Sequence, residues 1–384
     1  MVFLMINKER MTNEFCELAS IDSISFRERK MADVLKEKLA GLGFAVWEDQ
    51  TGEIYRGTSG NVYGYLKGET EGDPILLSAH MDTVEPGFNK KAVLHEDGTI
   101  TSDGTTVLGA DDLSGVVAIL EAVRTAREKG IPHRSVEVLF TYAEEAYLRG
   151  SEVFDYSLIK SKEAYVLDLD GPIGTAAIKA PTVVAFSAKF TGKASHAGFA
   201  PEQGINAIAA AAQAVSQIRQ GWIDEETTVN IGTIEGGKAK NIVSAECLLQ
   251  GEVRSQKHDK ALAQVEKIRD TFETAAAGFK AELEFTTSFA CIAYETSPEH
   301  PVVRRFEKIC RGLDLTARLI TTLGGSDNNN FARHDITGIV IACGMNKVHS
   351  LNEYTHVDEL ERCCNIVLKI ITHPDGADQK NNSD

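Results

Sequence analysis

Three apolar runs in this chain end in groups that bind cations or move protons. Residues 75–79 lead into His80 and Asp82, residues 135–141 into Glu144 and Glu145, and residues 164–167 into Asp168 and Asp170. A further acidic pair, Asp111-Asp112, lies in the small-residue stretch GTTVLGADDLSG, just ahead of an apolar helix predicted over residues 116–127. Late in the chain His349 stands in HSLNEY. In extended backbone alternate side chains share a face, so His80 and Asp82 point the same way. A metal-bound imidazole commonly passes its second N–H to a carboxylate, and His-x-Asp suits that arrangement. The dipole at a helix N-terminus favours one carboxylate of Asp111-Asp112 but gives no reason for two. Open α/β sheets bind ligands at the carboxyl ends of their strands. Three strands with such endings predict a rim where acids and a histidine converge, and buried acids need a cation.

His80, Asp111, Glu145, Asp168 and His349 are the candidate ligands. They form a mixed nitrogen and oxygen set without thiolate, suited to Zn²⁺, Mn²⁺ or Co²⁺. Five side chains exceed what one open tetrahedral zinc site uses. They serve two ions about 3.5–4 Å apart if one carboxylate bridges, as in two-metal hydrolases. Asp168 is preferred to Asp170 because it directly ends its strand.

Composition narrows the classes. At 384 residues the chain is too long for one ordinary core, so two domains are expected. A formal net charge of −16 argues against nucleic acid and anionic membrane as partners. The 7 cysteines are scattered and odd in number, with no C-x-x-C, which fits buried free thiols in a reducing compartment. The apolar start, residues 1–5, is too short for a signal peptide, and no later run is long enough to span a membrane. A cytoplasmic location is expected. The polar tail, residues 375–384, is expected to be disordered. Neither G-x-G-x-x-G after a first strand nor a Walker lysine loop is present, and G-x-S-x-G is absent too. Nucleotide chemistry and serine hydrolysis are thereby disfavoured.

The elements that must hold these residues follow from periodicity. Residues 7–42 read as mostly helix, broken at residues 20–23 and resuming at Phe26. Strands are predicted at 44–48 and 61–67, and a hairpin over 88–101 with its turn at Glu96-Asp97-Gly98. The pattern changes at Pro181. Strand 183–191, helix 205–218, strands 228–234 and 245–254, helix 260–277 and strand 281–289 come in that order. That β-α-β-β-α-β sequence is the ferredoxin-like arrangement. From residue 297 an α/β pattern returns, with helix 301–311, strand 316–322, a Gly324-Gly325-Ser326-Asp327 turn opening a helix, strand 339–342 and helix 357–371. The expected division is a discontinuous catalytic domain, residues 1–180 and 292–384, interrupted by a small domain over residues 181–291.

Taken together, SAHMDTV, GADDLSG, TYAEEAYLRGS, VLDLDGPIG, KASHAGFAPEQGINAI, the Val-Arg of GEVRS, GGSDNNNF and HSLNEY make a specific combination. With them the chain resembles the co-catalytic zinc peptidases that include peptidase T, glutamate carboxypeptidases and aminoacylases. The likeness runs over residues 7–371 and is nearest to peptidase T-like aminopeptidases. It implies an α/β fold: a zinc-peptidase-like catalytic domain with a mixed central sheet flanked by helices, and an inserted ferredoxin-like lid and dimerisation domain.

The resemblance implies roles as well. His80, Asp111 and Asp168 hold one metal, and Asp111, Glu145 and His349 the other. Glu144 is the general base and Asp82 orients His80. His196, in the inserted domain, reaches the partner's site in a homodimer. Arg254 grips a substrate carboxylate, Asn241 is a further substrate-binding residue, Gly325 matches a family pattern, and Glu353 interacts with the metal shell. The peptide after Asp111 is expected to be cis. Leu113 departs from relatives that carry lysine there, with no consequence for metal chemistry. The implied activity is di-metal hydrolysis of short peptides, removing the N-terminal residue of tripeptides, with Zn²⁺ preferred and Mn²⁺ or Co²⁺ alternatives. An N-acyl amino-acid deacylase or a carboxypeptidase would use the same scaffold. A non-catalytic peptide-binding protein would have lost ligands or Glu144, and none is missing.

Overall fold

The computed structural model describes residues 6–373. The apolar start, residues 1–5, and the polar tail, residues 375–384, lie outside the described residues. The chain divides into two compact units. The first takes in the chain up to Lys179, then Glu295–Thr321, then the chain from Ser326 onward; the second is Ala180–Tyr294 with Thr322–Gly325. The short piece Thr322–Gly325 joins the second unit through its main chain. Gln256 Nε2 donates to the Thr322 carbonyl at 2.6 Å and an Arg254 guanidinium nitrogen to the Leu323 carbonyl at 2.8 Å.

Among the described residues the first unit is built on a nine-stranded mixed sheet. Its centre is four strands in the order Val136–Thr141, Ile75–His80, Glu163–Leu169, Thr337–Ala342, each parallel to its neighbour. Every residue of Ile75–His80 and Val136–Thr141 is buried, as parallel strands covered on both faces require. Val62–Leu66 and Ala45–Glu48 extend one side of the sheet as antiparallel strands, which makes it mixed. The helix Ala110–Glu128 is buried around nearly its whole circumference. It packs on the strands Ile75–His80 and Glu163–Leu169 and is covered in turn by the helices Lys8–Ala19 and Val357–Thr372. Parallel alignment matters for the site, because it brings His80, Thr141 and Asp168 to the same end of the sheet.

The second unit is an antiparallel sheet with the long strands in the order Thr227–Gly236, Glu246–Ser255, Thr182–Thr191, Glu282–Cys291. The helices Ala207–Ser216 and His258–Phe279 cover one face, where Phe186, Phe190, Leu249, Ile268 and Phe272 form a separate core. This is the ferredoxin-like arrangement expected from the sequence, with one added two-residue edge strand, Gly221–Trp222. Two local expectations change. The second N-terminal helix begins at Arg29, not Phe26, because Phe26 sits at φ 70° and Glu28 caps its N–H. A one-turn helix at Thr51–Tyr55 is too short for periodicity to register.

Candidate metal centre

His80 closes its strand with its side chain almost fully buried. Its Nε2 lies 3.0 Å from Asp111 Oδ1 and 3.9 Å from Asp168 Oδ1. On the other side of Asp111, Oδ2 is 3.2 Å from His349 Nε2, which is also 2.8 Å from Glu145 Oε1. Two three-ligand groups result, His80–Asp111–Asp168 and Asp111–Glu145–His349, and each can hold a metal ion. Asp111 belongs to both, one oxygen to each histidine. Asp168 is the last residue but one of its strand, whereas Asp170 falls beyond the strand and is exposed. His349 is the most accessible member, with half of its side chain exposed.

Ionisation in the cluster reflects crowded acids. Burial, then the neighbouring Asp111 carboxylate, holds the Asp168 carboxyl well above the usual range. Burial and then Asp168 do the same to Glu144. Glu145 is raised by burial, against the pull of His349. Burial works in the same sense on Asp111, but its bonds to His349 and His80 outweigh it and hold Asp111 below the usual range. Burial would lower His80, yet Asp111 and Asp82 reverse that and hold it well above its ordinary value. Hydrogen bonds donated to Asp111 and Glu145 lift His349 to about 10. Carboxylates gathered in this way call for positive charge, and the donor set is one that divalent ions accept. The residues present therefore fit a pair of metal ions.

The supporting contacts differ from simple strand alternation. His80 Nδ1–H donates to the Asp82 main-chain carbonyl at 2.9 Å, with the carboxylate farther off at 3.4 Å. The Asp82 carboxylate instead accepts the N–H groups of Glu144 and Glu145, at 3.0 and 3.2 Å, and the Ser25 hydroxyl at 2.6 Å. The strand ends at Thr141, so Glu144 and Glu145 diverge from a turn held by Asp82 and not from extended backbone. Asp111 and Asp112 have non-helical dihedrals inside the helix Ala110–Glu128, and the peptide between them is cis. Asp112 is not aimed at the ligand groups: its Oδ2 accepts the His80 N–H at 3.1 Å.

Of the supporting residues, two carry no sequence signal and two stand in motifs that do not reveal what they hold. Ser25 and Glu28 come from the N-terminal segment and carry no motif signal. Glu353, flagged only through HSLNEY, accepts the N–H groups of Leu108, Gly109 and Asp111 at 2.7, 2.8 and 2.9 Å. It thereby fixes the loop that presents Asp111. Asp327 is buried and accepts the hydroxyls of Thr141 and Ser151, tying the helix Asp327–Arg333 to the strand that leads to Glu144.

The remaining expected residues lie in the second unit. His196 is exposed in a loop after the strand Thr182–Thr191. Its Nδ1 accepts the N–H groups of Gly198 and Phe199 at 3.1 and 3.2 Å, so the ring proton sits on Nε2, and the ring stacks on Phe199. Asn241 supports the same loop with its main chain, its carbonyl accepting the Ala197 N–H at 3.0 Å. Arg254 is paired with Glu252, Nε to Oε1 at 2.7 Å, besides its bond to Leu323. Gly325 is exposed.

A parallel-centred α/β sheet whose strand ends gather two ligand groups around one shared aspartate is the architecture of a metal-dependent hydrolase. Comparison with known proteins agrees. Residues 181–280 match the model of the peptidase dimerisation domain, and residues 61–215 that of peptidase family M28. A tripeptidase of Staphylococcus aureus is 36% identical and superposes with a TM-score of 0.93, covering 96% of this chain and 98% of its own. The aminopeptidase PepT of Bacillus cereus is 38% identical with a TM-score of 0.89, covering 96% and 99%. An uncharacterised Bacillus subtilis protein, YqjE, is 40% identical over 96% of this chain and 99% of its own length. The chain belongs to the peptidase T-like family of co-catalytic metallopeptidases.

Proposed function

We propose that this protein is a two-metal aminopeptidase that releases the N-terminal residue of short peptides, tripeptides first among them. The observation that carries the reading is the sharing of Asp111 between two ligand groups, with Glu144 beside them on a turn pinned to Asp82. His80, Asp111 and Asp168 would hold one ion, and Asp111, Glu145 and His349 the other. Zn²⁺ is the preferred metal, with Mn²⁺ and Co²⁺ acceptable to the same donors. When bound, such ions polarise the scissile carbonyl and lower the pKa of a water towards ~7.

The chain's own residues do the rest. Glu144 takes a proton from the attacking water and returns it to the departing amine. Asp82 keeps Glu144 aimed through the main chain and holds the Nδ1 proton of His80. His196 presents an Nε2–H, the tautomer an oxyanion donor needs, and acts on the site of a twofold partner. Arg254 exchanges Glu252 for the substrate's terminal carboxylate, and Asn241 holds the His196 loop in place. The assembly is a homodimer through the second unit, a reading supported by the dimerisation-domain match. Among the described residues no helix is long and apolar enough to cross a membrane; a cytoplasmic location is part of the proposal.

The test is a screen of free di- and tripeptides against N-acyl amino acids, each with Zn²⁺, Mn²⁺ and Co²⁺. Release of the N-terminal residue from tripeptides, lost on chelation, is the expected result. Faster cleavage of N-acyl amino acids than of any peptide would overturn it in favour of a deacylase.

A further inference from the structure

Residues 23–28 lie between the helices Lys8–Ala19 and Arg29–Gly41 and contain no ligand of the proposed metals. They nonetheless back the site. Ile24 bridges Thr83 in parallel register, and the Thr83 N–H donates to the Ser23 carbonyl at 2.9 Å. Ser25 donates to Asp82. Glu28, fully buried, reaches further: its Oε1 accepts the N–H of Phe26 and the N–H of Ala143, each at 3.0 Å. Phe26 has φ 70° and Ala143 φ 46°, both in the left-handed region that a side chain disfavours. One carboxylate oxygen thus holds two segments in conformations they would not choose alone.

The consequence falls on Glu144. Three consecutive N–H groups, of Ala143, Glu144 and Glu145, are taken by three carboxylate oxygens: Glu28 Oε1, Asp82 Oδ1 and Asp82 Oδ2. Asp82 fixes the two glutamates, but the direction in which the turn leaves the strand is set one residue earlier, at Ala143. We propose that Glu28 is a positioning residue for the reaction, holding Ala143 left-handed so that the Glu144 carboxyl is aimed at the water it deprotonates. The inference rests on Glu144 being the base. A purely stabilising role explains Glu28 poorly. A carboxyl taken fully out of water costs stability even when it accepts main-chain N–H groups.

Three substitutions test this in the metal-reconstituted full chain, with a free tripeptide as substrate. Glu28→Gln keeps an oxygen for both N–H groups; Glu28→Leu removes it; Glu144→Gln checks the underlying reading. Removing a group that orients a catalytic one typically costs 10–100-fold, and Glu28→Leu is expected to lose about that much kcat with KM and metal content within about twofold of wild type. Glu28→Gln should restore most of the kcat. Wild-type kcat in folded Glu28→Leu, metal lost in proportion to activity, or Gln as damaging as Leu would each overturn the inference. Should Glu28→Leu not fold, Glu28→Asp carries the test: its shorter arm withdraws the oxygen, so kcat should fall and amide exchange at Ala143 quicken, and no change in either defeats the proposal. If Glu144→Gln stays active, the base assignment fails and takes the Glu28 inference with it. If only the Glu28 variants behave as wild type, the base stands and Glu28 does not.

Discussion

Neighbouring glutamates in different surroundings are the sharpest feature at the scale of single residues, and opposite tasks are proposed for them. Glu145 touches His349, while Glu144 touches neither histidine and is buried beside Asp168. Glu144→Gln should therefore keep its metal and lose about 10²–10⁴-fold in turnover. Glu145→Gln should lose metal, read by elemental analysis after reconstitution and desalting. The opposite pattern would exchange the two roles. Asp111 serves both groups, so wild type should saturate near about two ions per chain and Asp111→Asn should release both. Loss of a single ion from Asp111→Asn would end the bridging role. Glu28 adds a pH signature of a different kind. Burial first, and then the Asp82 charge, raise its carboxyl from an ordinary 4.5 to about 8; Tyr142, whose own phenol is raised by burial and Glu28, is its other titratable neighbour. The folded chain thus keeps a proton that the unfolded chain gives up from about pH 4.5 upward. Stability must fall as pH rises through that window, with the loss complete above about 8. Glu28→Gln lacks this slope. Urea midpoints of the two metal-free proteins should diverge in favour of the variant between about pH 5 and 8.5, and parallel midpoints would refute the shift.

At the scale of elements, the site depends on one close approach. The helix Ala110–Glu128 carries Asp111, and the strand Glu163–Leu169 carries Asp168. Gly115 lets them meet: a Cβ there would stand 2.5 Å from the Leu167 carbonyl oxygen and 2.6 Å from Asp112 Oδ1. Backbone cannot yield as a flexible side chain would. Gly115→Ala should cost about 1–3 kcal/mol of stability and weaken metal retention by parting the two aspartates. An unchanged Tm with full metal content would show that the approach has slack. Much of this is legible in the sequence, because parallel strands buried on both faces are written as continuous apolar runs, and the residues just beyond each run must lie at the same end of the sheet. Asp168 is preferred to Asp170 on that ground alone. The illegible part has a common physical form. Glu28 and Glu353 act on main-chain N–H groups 115 and 242 residues away, and a backbone donor leaves no mark on residue type. The turn at Ala143 is hidden for the same reason, since nothing in Ala-Glu-Glu announces a left-handed alanine. Periodicity places the helices and the strands of the second unit to within a few residues, and fails at Phe26, where a buried carboxylate and not a propensity decides the helix start.

At the scale of the whole molecule, the residues proposed for catalysis are divided between two units. The ligands, Glu144 and Asp82 belong to the first, and His196, Arg254 and Asn241 to the second. His196 lies exposed with its ring proton on Nε2, its ring stacked on a Phe199 that is itself 87% exposed. Among the described residues no acceptor takes that N–H, which suits a task outside its own loop. The match to a peptidase dimerisation domain fits a second copy of this chain as the proposed partner, and twofold dimers are the commonest closed assemblies. If His196 acts on the partner's site, a chain lacking Glu144 and a chain lacking His196 are complementary. Glu144→Gln and His196→Ala should each be nearly inactive as homodimers. After mixing in equal amounts under conditions that exchange subunits, half the dimers are mixed, and one of their two sites joins an intact Glu144 to an intact His196. Activity should return to about a quarter of wild type. Recovery should track the fraction of mixed dimers measured with a mass-tagged chain. A homodimer by sedimentation that shows no recovery would leave the interface but remove the role in trans, and a chain fully active as a monomer at high dilution would remove both.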